Sequence, residues 1–310
     1  MKILLLALCA APLAAYALQD PAPAEARTPT FDHRMFDALL ARHVEGDRVD
    51  YAALLKDRAM LDTYCDRLEA VTRTQYAELS EDERFALWSN AYNAFTLQLI
   101  LDHYLLEPEG DRSKRLGSIQ DLSFDGANAW QNRFIAMGGL ADRETADGLA
   151  RARAAGGDDG ETGPDGDRQG DQPPSITLNE IENEIIRPIF EDARVHFAVN
   201  CAASSCPPLR AGAFTGAELE TQLDEQTRAF LADPAYNTFD AQAGTIGLSK
   251  IFEWYAIDFE DPSRGLSLRA FLVEYGPGAS AEERAWMRDA EIRYLEYDWA
   301  LNDIDRKPKR

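Results

Sequence analysis

The sequence predicts an α+β protein, one domain with helices packed on a small, mainly antiparallel sheet. Three observations predict it. Ser/Thr-x-x-Glu signatures, each marking a helix start, stand at Ser80, Thr177, Thr215 and Ser280. Only four short runs carry strand character, and no internal repeat is visible. Helices interspersed with a few short strands suggest this class.

The N-terminal residues predict an exported protein, periplasmic or secreted. Lys2 gives a positive start, and Ile3 to Ala15 is apolar but too short to span a bilayer. Ala15-Tyr16-Ala17 offers the small-x-small pattern of signal-peptide cleavage. Residues 1–17 are therefore read as a signal peptide, with Cys9 part of it because Leu8 is too large for a lipobox. Residues 18–30 read as a Pro/Ala-rich tether, 31–303 as the globular domain and 304–310 as a basic tail. No later stretch is apolar enough for a membrane span.

Residues 31–70 predict two helical segments. Phe36, Leu39, Leu40 and His43 share a face of the first, and Leu54, Leu61, Tyr64 and Leu68 a face of the second. From Ser80 a long helix should run from Glu81 to about Tyr104, apolar on nearly every side and hence buried. Helix 178–190 should bury Leu178, Ile181, Ile185 and Ile189, and helix 216–232 Leu219, Leu223 and Phe230. The strand candidates are Phe134 to Met137, Arg194 to Val199, Thr245 to Leu248 and Ile292 to Tyr297.

Between the first two strand candidates, about residues 141–174, the chain is rich in Gly, Asp, Arg and Pro and nearly lacks large apolar residues. Such a segment buries too little surface to offset its ordering entropy, which predicts a disordered insertion. Its Asp165 to Gly170 run superficially suggests a calcium loop, but the twelfth position is Ile176 where a bidentate glutamate is needed.

A formal charge of −22 argues against nucleic acid or an anionic membrane surface as partner. Three cysteines remain after the predicted cleavage: Cys65, Cys201 and Cys206. In an oxidising compartment an odd count leaves at least one thiol unpaired internally.

The segment Arg194 to Leu209 is the most unusual. Read as a strand, it puts Val195, Phe197 and Val199 on one face and His196 with Asn200 on the other, and Cys201 at its exit. Three readings compete. Cys201 is a nucleophile activated by His196, with Asn200, Glu182 or Asp258 orienting the imidazole. Alternatively, Cys201 and Cys206 form a structural disulfide or simply pack. The third has His196, Cys201 and Cys206 as zinc ligands; no metal site is assigned, and no cofactor is expected. Pro207 after Cys206 opposes a long helix starting at Cys201, so a helix dipole cannot be counted on at its sulfur.

Asn90 and Asn93 lie one turn apart on the long helix beside Trp88. Buried amides need partners, either the backbone of a neighbouring loop or a bound group. In Leu248 to Phe259 the aromatics read as core, and Lys250 with Asp258 as an ion pair. Candidate binding residues are thus Asn90, Asn93, Trp88, Cys206, Lys250 and Asp258, and the expected partner is a small molecule or peptide.

These segments, in this order, resemble the family of domain of unknown function 547. The matching residues are Val49-Asp50-Tyr51, Trp88 to Asn93, Trp130 with Gly138-Gly139, Thr177 to Glu182 with Arg187, and His196 to Cys201 with Cys206-Pro207. They continue with Ser249 to Phe252, Trp254-Tyr255, Asp258-Phe259 and Tyr297 to Asn302. The resemblance spans roughly residues 31–303 and implies no agreed catalytic residues. Many relatives carry histidine after the glutamate of the Ile-Glu pair; Asn183 stands there, which removes a catalytic histidine from that position. The insertion after Gly139 also looks longer than the family needs. Two functions follow as expectations: a cell-envelope thiol hydrolase or acyl/peptidyl transferase using Cys201 and His196, or a non-catalytic envelope binding protein with its cysteines oxidised.

Overall fold

A buried helix organises the first half of the chain. The structure, a computed structural model, describes residues 29–106, 111, 114–140 and 175–306. The predicted signal peptide, most of the tether, the acidic insertion with its calcium-like run, and the tail beyond Arg306 lie outside the described residues.

The chain enters through α1 (Arg34–His43), a two-strand hairpin of β1 (Val44–Glu45) and β2 (Arg48–Val49), α2 (Tyr51–Leu54), α3 (Arg58–Glu69) and α4 (Arg73–Glu78). It then reaches α5 (Glu81–His103), which is 23 residues long. The apolar face of α1 is the one expected, with Phe36, Leu39, Leu40 and His43, and α3 buries Leu61, Tyr64 and Leu68, whereas Leu54, expected on the same face, belongs to the separate α2. Ser80 accepts the Glu83 amide at 3.2 Å, three acids fill the first turn of α5, and His103 occupies its last turn, all favourable to the helix dipole. The Glu83 side chain does not return to Ser80 and packs against Gly216 instead.

Residues 178–190 are helical throughout, as the spacing predicts. Thr177 and Glu180 close a full capping box. Leu178–Glu180 is α-helical, Ile181–Ile186 is a π-helical turn, and Arg187–Phe190 is α-helical again. The Leu219–Ala232 helix forms and buries Leu219, Leu223 and Phe230, although Thr215 makes no capping bond.

The sheet content is small and mainly antiparallel but comes in three pieces. β1 pairs with β2, and β3 (Ser123–Phe124) with β4 (Ala127–Asn128), both antiparallel. β5 (Thr238–Asp240) pairs antiparallel with β6 (Thr245–Leu248), whose other edge takes β7 (Glu291–Tyr294) in parallel. The predicted Thr245 to Leu248 strand is thus present, and the Ile292 to Tyr297 strand stops at Tyr294.

Two strand expectations are corrected. Phe134 to Met137 forms no strand, only an isolated bridge from Ile135 to Ile176. Arg194 to Val199 is not extended: Val195–Ala198 is a single helical turn. Glu191 ends the preceding helix in the left-handed region at φ 51°. Asp192 then turns the chain, its side chain accepting the Arg194 amide at 2.8 Å and its carbonyl the Val195 amide at 3.1 Å. Arg194 is clamped by Asp192, Asp224 and Glu220. This local turn chemistry overrides the β preference of Val, Phe and Val.

That turn is the seam between two apolar cores. Val195, Ala198 and Val199 enter the core built on α1, α3, α5 and helix 178–190. Phe197 enters the second, with Phe230, Leu248, Phe252, Phe259 and Leu272. The C-terminal segment lies along the loop that follows the turn: Asn302 donates its amide to Ala202 at 2.9 Å, and Ser204 donates to Ala300 at 2.7 Å. Residues nearly a hundred positions apart therefore meet where the two cores meet.

Candidate functional site

A cavity of about 270 Å³ opens at this seam. Tyr92 and Val199 line it from the first core, and Tyr255 from the edge of the second. Cys201, Cys206, His196 and Glu182 all face it.

The Cys201 wall is a loop held by amides. Asn93 on α5 donates to the Ala198 carbonyl at 2.8 Å and accepts the Asn200 amide at 2.9 Å. Asn200 in turn donates to the Pro207 carbonyl at 2.7 Å and accepts the Ala202 amide at 2.9 Å, bracketing Cys201 to Cys206 from both ends. Asn302 donates to the same Asn200 oxygen at 3.3 Å while accepting from Tyr51 at 2.7 Å. Ala202, immediately after Cys201, is left-handed at φ 63°, a conformation costly for a residue with a Cβ and found where surrounding bonds enforce it.

Within this loop the two thiols meet. The Cys201 amide donates to the Cys206 sulfur at 3.1 Å, and the Tyr297 hydroxyl lies 3.4 Å from the Cys201 sulfur. A hydrogen bond from the Cys206 thiol holds Cys201 below the ordinary thiol range against its burial, helped by Tyr297 and the Ala203 amide. Burial pushes the Cys206 thiol well up, so Cys206 keeps its proton. Both are free thiols, as is Cys65 in the core.

The opposite wall is held by charge. His196 Nε2 lies 2.7 Å from Asp258, and Arg187 Nε donates to the same oxygen at 2.7 Å. Burial alone would raise Asp258, but these two bonds outweigh it and hold the carboxyl at about 2. Burial pushes His196 down although Asp258 opposes it. The imidazole is therefore neutral at pH 7, its Nε2 proton on the carboxylate and its Nδ1 an acceptor. Asn183 accepts from Arg187 at 2.5 Å and donates to Asn179 at 3.0 Å. Asn183 thus anchors the guanidinium that anchors Asp258.

Tyr255 stacks on His196 with centroids 4.1 Å apart, lies under the Arg187 guanidinium, and donates to Glu182 at 2.6 Å. Glu182 and Asn183 reach the cavity from the π-helical turn, whose extra residue lets Ile181, Ile185 and Ile186 remain in the core; such turns recur at functional sites. Trp254, Tyr297 and Trp299 form the mouth, with centroids 4.6 to 5.7 Å apart, and Trp254 is 47 % exposed.

The structure redistributes the residues singled out in the sequence. Cys201, His196, Glu182 and Cys206 come together at the cavity. Among the described residues no hydrogen bond joins His196 to Cys201, and the Tyr297 hydroxyl is the group on the sulfur instead. Asn200 does not orient the imidazole; both ends of its amide hold the loop. Asp258 does. Asn90 binds both backbone groups of Phe214, at 2.8 and 3.0 Å, and Trp88 is fully buried with its indole on Tyr76, so both are architectural. Lys250 pairs with Glu253, not Asp258. His196 and the two thiols do not converge as zinc ligands, and among the described residues no group of three or more His, Cys, Asp or Glu is set to hold a metal ion.

Sequence reasoning missed Tyr297, Tyr255, Arg187 and the tryptophan mouth. Their signal was present in Trp254-Tyr255 and in Tyr297 to Trp299, aromatics next to charges. Phe252 and Phe259 are core as expected, whereas Trp254 and Tyr255 are cavity wall.

No curated protein and no solved structure matches this chain. Residues 170–231 match the family model described as "Protein of unknown function, DUF547", a stretch that carries Glu182, Asn183, Arg187, His196, Asn200, Cys201 and Cys206 and stops before Tyr255, Asp258 and Tyr297. That stretch of the chain is similar to the family, and half of the candidate site lies outside it.

Proposed function

We propose that Cys201 is the nucleophile of a thiol-dependent acyl-transfer reaction on a small molecule or peptide, a hydrolase or an acyl/peptidyl transferase of the cell envelope. The supporting observation is the placement of a partly exposed thiol, with hydrogen-bond donors on its sulfur, in a cavity that also presents an aspartate-oriented neutral imidazole. The Cys201 sulfur attacks the substrate carbonyl and forms a thioester as the bond to the leaving group breaks; the thiol proton, carried through solvent to His196 Nδ1, passes to the leaving group. Because His196 makes no bond to the resting sulfur, its role is at the leaving group and then at the incoming water or acceptor, with Nδ1 as the base. Glu182, oriented by Tyr255, is the second group able to move a proton there. The aromatic mouth favours a substrate with an apolar or planar portion beside its reacting group.

A binding protein without catalysis is the alternative, and the exposed Trp254 at the mouth is what favours it. Mass spectrometry with 4-nitrophenyl acetate decides between them. Acyl transfer predicts one acetyl group on Cys201 that is lost over time, faster in the wild type than in His196→Gln. An unreactive Cys201, or an adduct whose decay ignores His196, favours binding alone.

A further inference from the structure

Cys201 and Cys206 differ in ways that packing does not require. Cys201 is partly exposed in the cavity, while Cys206 is only 4 % exposed behind it. The Cys206 sulfur faces the same cavity but is shielded there by Cys201, Tyr297 and, at 3.9 Å, the Val199 carbonyl. Its sulfur already receives the Cys201 amide at 3.1 Å, a donor placed to stabilise negative charge as the thiol ionises. Cys206 also donates its own amide to Ala203 at 3.1 Å, and Asn200 holds Ala202 and Pro207, so the loop keeps the two cysteines facing one cavity. An accessible attacking thiol backed by a sequestered second thiol is the arrangement of a thiol–disulfide exchange pair. A nucleophile serving acyl transfer alone needs no second sulfur beside it.

We propose that the cavity also carries out thiol–disulfide exchange with low-molecular-weight disulfides, Cys201 attacking and Cys206 resolving. The Cys201 thiolate attacks one sulfur of R–S–S–R, forming Cys201–S–S–R and releasing RS⁻. Cys206 gives its proton to the departing RS⁻, and its sulfur attacks Cys201. The mixed-disulfide S–S bond breaks, a second RS⁻ leaves and takes up from solvent the proton that Cys201 gave up on ionising, and an intramolecular disulfide remains. One substrate disulfide is reduced to two thiols while the two cysteines are oxidised. An external thiol reverses the sequence, so the same step switches the Cys201 nucleophile off and on. This inference rests on Cys201 being the reactive thiol of the proposed function.

The test uses the reduced protein with oxidised glutathione, followed by intact mass and peptide mapping. The wild type is expected to lose two hydrogens and carry no glutathionyl group. Cys206→Ser, and equally Cys206→Ala, is expected to retain one glutathionyl group on Cys201. Dithiothreitol should restore the starting mass in each case. A wild type that accumulates a lasting glutathionyl adduct, or stays reduced while iodoacetamide modifies Cys201 rapidly, would overturn the exchange pair and leave the nucleophile standing. Failure of both reagents to modify Cys201 would instead overturn the shared premise.

Discussion

The Cys201 wall of the cavity is held by neutral amides, whereas the His196 wall is held by charge. On the first, Asn93, Asn200 and Asn302 place a loop by hydrogen bonds that no titration between pH 4 and 9 alters. On the second, Arg187, Asp258 and His196 place an imidazole through a network that acid dissolves. The difference teaches that the two partners of the proposed chemistry are separable: one depends on packing and the other on protonation.

The largest expected effect breaks the amide wall. Asn93→Ala leaves a buried carbonyl and a buried amide unpaired and should cost roughly 3 kcal/mol of stability. Asn90, one turn away, makes the same two kinds of bond to Phe214, and its alanine variant should cost a similar roughly 3 kcal/mol. Only Asn93→Ala should also move the pH profile of Cys201 alkylation upward. Urea denaturation and alkylation of both variants check this; equal profiles would remove Asn93 from the site.

Asp258→Asn breaks the charged wall. The folded carboxyl lies at about 2 against 3.8 ordinarily, so its contribution is fully present above pH 4 and lost as pH falls towards 2. The shift corresponds to about 2 kcal/mol, which the variant should lose at pH 7. Its stability should then vary less between pH 4 and 2 than the wild type's, read by thermal melts across that range.

The helical part of the fold was legible because caps and apolar spacing are local signals. Ser80, Thr177 and the Leu61-Tyr64-Leu68 face each act within a few residues of chain. The Val195–Ala198 turn was not, because one helical turn is too short for periodicity to separate from a strand. The error put Phe197 on one face with Val195 and Val199, which enter a different core, yet His196, Cys201 and Glu182 were still found, since polar residues interrupting apolar segments need partners wherever they point. Tyr297 and Arg187 could not be placed from sequence. Tyr297 reaches Cys201 across 96 positions of chain, and the π-helical turn that aims Glu182 has no residue signature here.

Smaller effects sharpen the contrast. Tyr297→Phe removes one donor from the Cys201 sulfur, worth about 1 kcal/mol, and should slow alkylation near neutral pH about fivefold with little change in melting temperature. Lys250→Ala, which loses only a surface pair with Glu253, should change stability by less than about 0.5 kcal/mol and leave alkylation untouched.

The most direct measurement is the rate of iodoacetamide alkylation of the reduced protein against pH, with the modified residue identified by peptide mapping. Cys201 should react first, with an ionisation below the value of about 8.5 of an unperturbed thiol, and Cys201→Ser should abolish that phase. A fast phase assigned to Cys65 or Cys206, or a Cys201 ionisation at or above the unperturbed value, would contradict the assignment of Cys201 as the activated thiol.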